Sequence, residues 1–237
     1  MIGTVSVRAL VGDLLRAARA RVGLARPRGE DWHRRGVGGR WDELGTLQLE
    51  FLKEQGLRPE HVLLDVGCGS LRGGVRFIDY LEPGHYWGIE KQAELLEAGR
   101  DVELSRAGVA GKEPHLRVTG LFELDHVPAG VAFDFALAQS VFTHLRPELV
   151  RLCIERVTRR LAPGGVFYAT FFEGDEDVVG PSHGWREDEL QHPRYRRETL
   201  RRLADEAGAD LAYVGAWGHP RDQRMVAITP RSPVDAS

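Results

Sequence analysis

The chain is short of cysteine, nearly devoid of lysine and free of long apolar runs, and each shortage closes off a class of function. Two cysteines in 237 residues, Cys68 and Cys153, cannot staple a secreted domain, and their spacing matches no zinc site. A reducing compartment is expected. Among 32 basic residues only Lys53, Lys91 and Lys112 are lysine, leaving 29 arginines. Such a skew tracks coding composition more than selection for phosphate, so the pairs Arg34-Arg35, Arg159-Arg160, Arg196-Arg197 and Arg201-Arg202 are discounted as binding patches. The formal net charge of -3 likewise speaks against a broad nucleic-acid surface. No stretch of about eighteen apolar residues occurs, and no charged-apolar-small leader opens the chain, so a cytoplasmic protein without a membrane partner is expected. No internal repeat is present.

What is present is ordinary globular stock, 42% hydrophobic and 28% charged, in which apolar strands alternate with helical stretches. That alternation argues for an α/β domain with a doubly wound sheet. The most informative segment is 63–74, Leu-Leu-Asp-Val-Gly-Cys-Gly-Ser-Leu-Arg-Gly-Gly, where a strand ends in an acid and runs into glycines that open a helix. Gly67 and Gly69 permit positive φ and the close approach of a ligand, and Asp65 sets a carboxylate at the strand's end. A dinucleotide fingerprint requires a third glycine where Arg72 stands, one place before Gly73, so the fit to NAD is poor. About twenty residues on, His85-Tyr86-Trp87-Gly88-Ile89-Glu90 reads as a second strand ending in an acid, the place from which a carboxylate accepts from a ribose diol.

Two later segments complete an ordered set. Phe133 to Ala138 is a buried strand leading through Gln139-Ser140-Val141-Phe142-Thr143-His144 to a helix that Pro147 can start. At Leu161-Ala162-Pro163-Gly164-Gly165 a helix stops, and a continuous apolar strand follows to Phe172. Farther on, a helix is expected over Arg197 to Ala207, then strands near 211–214 and 224–229 joined by the Trp217-Gly218-His219-Pro220 loop.

Acid-x-Gly-x-Gly after the first strand, with the other segments in this order over roughly residues 60 to 172, resembles the class I S-adenosylmethionine-dependent methyltransferases. The resemblance implies a mostly parallel, seven-stranded sheet of Rossmann-like form, carried by residues 59–230. Residues 1–58 are then amino-terminal helices and a linker serving as a lid, and 231–237 a tail. S-adenosylmethionine (SAM) is the implied cofactor. Its amino-acid end is assigned to Asp65, Gly67, Cys68, Gly69 and Ser70, with Arg72 facing its carboxylate. Glu90 is the implied ribose ligand, with Lys91 beside it. Where the family often has an acid for adenine, this chain has Gly120-Leu121-Phe122, so Phe122 packing takes that role, or Glu123 or Asp125 farther along. Gln139 and Ser140 border cofactor and acceptor.

Within the amino-terminal part, Val5 to Val22 reads as an amphipathic helix, residues 23–40 as a Gly-, Arg- and Pro-rich linker, and Trp41 to Gln55 as a helix offering Trp41 and Gln48 to the lid. His144 is the candidate general base, since an imidazole titrates near neutrality, and Glu173 is a second candidate. The acids Glu173, Asp175, Glu176 and Asp177 read as solvated, and no metal site is assigned. Amino-nucleobase and protein-arginine acceptors require motifs that are missing between Asp134 and Arg146. A small-molecule acceptor remains, covered by the long segment Glu173 to Pro193 with His183, Trp185, His192 and, just beyond, Tyr195. Arg194, Arg196 and Arg197 are candidates for an anionic acceptor. A homodimer is compatible with this reading. The alternatives are a SAM-binding protein without catalysis, or another transferase of the fold such as an aminopropyltransferase.

Overall fold

A computed structural model describes residues 29, 31–179 and 192–231. The amphipathic stretch 5–22, and His183 and Trp185, lie outside the described residues. The chain alternates strands and helices: α1 (Trp32–Gly36), α2 (Trp41–Glu54), β1 (Leu63–Val66), α3 (Gly74–Tyr80), β2 (Tyr86–Glu90) and α4 (Ala93–Ala98) come first. A π-helical turn (Gly99–Glu103), α5 (Leu104–Ala107), β3 (His115–Val118), β4 (Phe133–Ala138), α6 (Pro147–Thr158) and β5 (Leu161–Glu173) follow. The two-residue β6 (Arg194–Tyr195), α7 (Arg197–Glu206), β7 (Ala209–Ala216) and β8 (Arg224–Pro230) complete it.

The strands lie in the order β3-β2-β1-β4-β5-β8-β7, with β6 paired to β5 off this path. All neighbours run parallel except β8, which is antiparallel to both β5 and β7. Strand order reverses between β1 and β4, and the carboxyl ends of parallel strands at such a switch leave a crevice for ligands. Alternation along β1 sorts its side chains to two faces: Leu64 and Val66 enter one core cluster, and Leu63 enters the other. The same period turns Asp65 toward the face of Leu63, beside Tyr86.

Three expectations are corrected in detail. The sheet has eight strands rather than seven, because Arg194-Tyr195 adds a short parallel pair with Phe172 and Glu173. The strand after α6 starts at Leu161, so Pro163-Gly164-Gly165 lies inside β5, and the pairing with β4 shifts register between Phe133 and Phe135 to accommodate it. The segment expected to be linker contains α1. Its polar residues form a helix there because partners wait elsewhere in the fold.

Those partners converge on Glu103, the last residue of the π-helical turn, whose side chain is 2% exposed. His33 Nε2 lies 2.6 Å from Glu103 Oε1, Arg34 donates Nε and Nη2 to the two carboxylate oxygens, and Arg106 reaches Oε1 at 3.3 Å. Burial works to raise the Glu103 carboxyl, and the hydrogen bonds from Arg34 and His33 outweigh it and hold the group below its ordinary range. Arg106 also pairs with Asp31 at 2.7 Å, and the Arg34 guanidinium lies 4.5 Å over the Trp41 ring. Asp31, His33 and Glu103 are close enough to hold a metal ion together, but the two guanidiniums on Glu103 oppose a cation there.

Replacing Glu103 with Ala leaves three cationic or polar partners facing a buried gap. It is expected to cost about 2–4 kcal/mol in urea denaturation. A loss below about 0.5 kcal/mol, the range of ordinary surface changes, would show that this clasp contributes nothing.

Candidate functional site

The crevice at the β1/β4 switch opens into a cavity of about 550 Å³. That is within the roughly 300–1,000 Å³ usual for small-ligand sites. The turn after β1 forms its floor. Gly67 and Gly69 have φ of 69° and 56°, and a methyl added at either would meet Val141 at 2.7 Å or Val37 at 2.6 Å. Both glycines are therefore required by backbone conformation and by packing.

Glu90 closes one wall at the carboxyl end of β2. Its Oε2 accepts from the Gly69 N–H at 3.0 Å and its Oε1 from the Gln92 N–H at 2.8 Å. Each oxygen retains a further lone pair, and the residue lines the cavity while 7% exposed. Two fixed acceptors in one plane suit a vicinal diol.

Asp65 is fully enclosed beside Glu90, accepting from the Tyr86 hydroxyl at 2.7 Å. Burial, opposed by that hydrogen bond and reinforced by the neighbouring Glu90 charge, pushes its pKa up to about 7. Cys68 packs beside them, its thiol pushed well up by burial, and Gly88 leaves the space its sulfur fills.

Arg72 occupies the opposite side and has no carboxylate partner among the described residues. Nη1 donates to Val37 O at 2.6 Å and Gly39 O at 3.1 Å, and Nη2 donates to Gln139 Oε1 at 2.6 Å. Its Nε, buried, has no hydrogen-bond partner among the described residues. Burial and the nearby Arg221, against Asp65, bring its pKa down to about 10. Gln139 Oε1 also accepts from Gln48 Nε2 at 3.1 Å, and Gln139 Nε2 donates to Ser140 Oγ and sits 3.2 Å from His219 Nε2. Ser140, in the left-handed region at φ 59°, donates its N–H to Thr170 Oγ1 at 2.7 Å. Thr170 in turn donates to Gln223 Oε1 at 2.8 Å. Burial, with Arg72 and Arg221, lowers His219 to about 4.

His144 follows in a 3-10 turn that is pinned when the Tyr195 hydroxyl donates to Leu145 O at 2.5 Å. The residue is solvent-exposed at the cavity wall. Desolvation by the protein around it, with His192 and Lys91, lowers its pKa to about 4, which favours the neutral imidazole at pH 7. His192 meets it edge to face at 5.1 Å and lies 5.3 Å from Phe172.

The structure thus gathers Asp65, Gly67, Cys68, Gly69, Arg72, Glu90, Gln139, Ser140 and His144 around one cavity, with Gln48 from α2. Three expected members lie outside its wall. The Ser70 hydroxyl is fully buried and donates to His33 O, anchoring α1. Lys91 is exposed, because the chain turns outward after Glu90 toward α4. Phe122 packs on the core cluster beneath β4, with its backbone left-handed at φ 65°. Trp41 joins the Arg34 clasp rather than the wall.

Glu173, the second candidate base, is held by Arg197 and by the Tyr213 hydroxyl at 2.7 Å, away from the cavity. Asp177 accepts from Arg196 N at 2.8 Å and from Thr199 Oγ1 at 2.6 Å, which ties the loop to the start of α7. Sequence reasoning passed over Arg35 to Gly38, Thr143, Phe172, Arg221 and Gln223 as wall residues. His219-Pro220 in the β7–β8 loop was the available signal for the last two.

Residues 64–167 match a family model described as a methyltransferase domain. The magnesium protoporphyrin IX methyltransferase ChlM of Synechocystis PCC 6803, with bound SAM, is similar in structure at a TM-score of 0.57 and 13% identity, over 98% of this chain and 100% of that one. The CcbJ methyltransferase of Streptomyces caelestis aligns at 0.60 and 14% identity, over 79% of this chain and 90% of that one. The glycopeptide N-methyltransferase MtfA complexed with SAM aligns at 0.59 and 15%, over 78% and 94%. At these identities the structural likeness speaks to the fold.

Asp65 gives a pH test of the wall. Its folded pKa lies above the ordinary value of 3.8, so the native state keeps a proton that the unfolded chain has lost, and stability falls as pH rises toward 7. Asp65→Asn should therefore stabilise the free protein at pH 8 by about 1–3 kcal/mol. The gain should vanish near pH 4, and equal melting temperatures for both proteins at pH 8 would contradict this assignment.

Proposed function

We propose that the chain, whose residues 64–167 match a methyltransferase-domain model, is a SAM-dependent methyltransferase that transfers the methyl group to an oxygen or nitrogen of a small-molecule acceptor at the His144 end of the cavity. The observation that carries the cofactor side of this reading is Glu90, its two oxygens fixed by the Gly69 and Gln92 N–H groups and facing the cavity beside the glycine turn.

The residues present fit the cofactor by the chemistry of their donors. Glu90 accepts from the ribose diol. The buried Arg72 Nε, which has no hydrogen-bond partner among the described residues, suits the carboxylate of the amino-acid end, and Asp65 suits its ammonium. When bound, SAM supplies a methyl group on a cationic sulfur. Against that chemistry the protein aligns the acceptor and excludes water. His144 accepts the acceptor's proton at an imidazole nitrogen where the nucleophile is a hydroxyl or protonated amine, and its depressed pKa keeps it unprotonated at neutral pH.

Among the described residues Asp65 and Glu90 are the only carboxylates lining the cavity, and the acceptor end is built from Thr143, His144, Phe172 and His192. A polyamine acceptor, as an aminopropyltransferase requires, has no acid to meet there among the described residues. Two of the similar structures are named for magnesium protoporphyrin IX and for a glycopeptide, neither of them a nucleic acid. No helix among the described residues is long and apolar enough to cross a membrane.

Glu90→Gln is expected to weaken binding of S-adenosylhomocysteine (SAH) by about 10–100-fold in calorimetry, because one charged acceptor of the diol is lost. His144→Ala should leave that affinity within about twofold while lowering kcat by about 10²-fold or more once an acceptor is in hand. An unchanged kcat would remove His144 from proton transfer, and unchanged SAH affinity in Glu90→Gln would remove the cofactor assignment.

A further inference from the structure

Three arginines, Arg35, Arg72 and Arg221, share the cavity wall. On the surface Arg151, Arg159, Arg202 and Arg231 each pair with a carboxylate. Arg196 and Arg197, the sequence candidates for anion binding, are likewise paired, with Asp177 and Glu173. Arg35, Arg72 and Arg221 line the cavity, and none has a carboxylate partner among the described residues. Three guanidiniums stand against Glu90 and an Asp65 that is partly protonated near neutrality, so the wall carries an excess of positive charge. The methyl donor of the proposed reaction is itself a net cation. With Arg72 assigned to the donor's carboxylate, positive charge is left uncompensated on the remaining wall.

Arg221 is placed to use it. Its Nη2 donates to Gly38 O at 2.7 Å, which ties the side chain to the segment after α1, and among the described residues this is its one guanidinium hydrogen bond. Its charge is felt on one side by Arg72 and on the other by His192, which lies against His144 at the acceptor end. A guanidinium so held presents a fork to a planar or tetrahedral anion.

We propose that the acceptor carries a carboxylate or phosphate group and that Arg221 binds it, with Arg35 adding attraction from the same wall; this rests on the methyltransferase reading above. The anion orients the acceptor, and the methyl group goes to a different oxygen or nitrogen near His144. Charge complementarity of this kind governs which acceptors enter and how fast.

The test titrates the SAH-saturated protein with benzoate and with inorganic phosphate, each by calorimetry at low ionic strength. One of the two should bind saturably without displacing SAH, the tighter marking the acceptor anion as carboxylate or phosphate. Arg221→Ala should lower that affinity by about tenfold or more. Arg201→Ala, an exposed arginine on α7 away from the cavity, should not change it. Should Arg221→Ala lose SAH through the Gly38 contact, Arg221→Lys keeps the charge and is expected to retain SAH while binding the anion several-fold more weakly. SAH binding without anion binding, equal anion affinity in wild type and both Arg221 variants, an equal loss in Arg201→Ala, or an anion that displaces SAH each overturns the proposal. Failure of the wild type to bind SAH at all would instead overturn the methyltransferase reading.

Discussion

A guanidinium buried without a carboxylate is the constraint on which the site depends. Arg72 stands 7% exposed between the turn after β1 and the amino-terminal segment, and among the described residues its hydrogen bonds go to carbonyl and amide oxygens. A cation in that position is tolerable only if neutral acceptors are held rigidly toward it. Val37 O and Gly39 O meet that demand from the segment after α1, and Gln139 Oε1 meets it from the end of β4. One side chain therefore links the amino-terminal cover, the glycine turn and the acceptor-side strand.

The clasp at Glu103 serves the same geometry from behind. It holds α1 by His33 and Arg34, and Ser70 adds a hydrogen bond to His33 O. Only with α1 in place can Val37 and Gly39 present their carbonyls to Arg72, and only then does Val37 close over Gly69. Stability and binding geometry are thus coupled. The π-helical turn that carries Glu103 fits this use, since such irregular turns redirect a side chain that a regular helix would aim elsewhere.

Electrostatics divides the cavity. Burial, reinforced by the Glu90 charge, raises Asp65 until it takes up a proton near neutrality on one side, while burial with Arg72 and Arg221 lowers His219 on the other. A ligand with a cationic and an anionic end relieves both strains at once, a preorganisation that stabilises the complex at the expense of the free protein. The acceptor end is built differently, from aromatic rings and a neutral His144.

Much of this was legible in the chain itself. Local rules sufficed for β1, β2 and β4, because apolar runs ending in an acid or a glycine turn leave few other structures, and for the start of α6 at Pro147. The same rules placed Glu90 and the glycines, whose role depends on backbone conformation. Gln48 was reached only through the family resemblance, as a lid candidate on the helix after the linker. The amino acids alone could not reveal that residues 32–36 fold back as a helix, that Ser70 and Phe122 turn into the protein, or that Glu173 is held by Arg197. They could not separate Arg221 from the other arginines either. Those outcomes depend on which charges meet across tens or hundreds of residues, and a side chain's partner, unlike its helix or strand, is decided only when the sheet brings distant segments together.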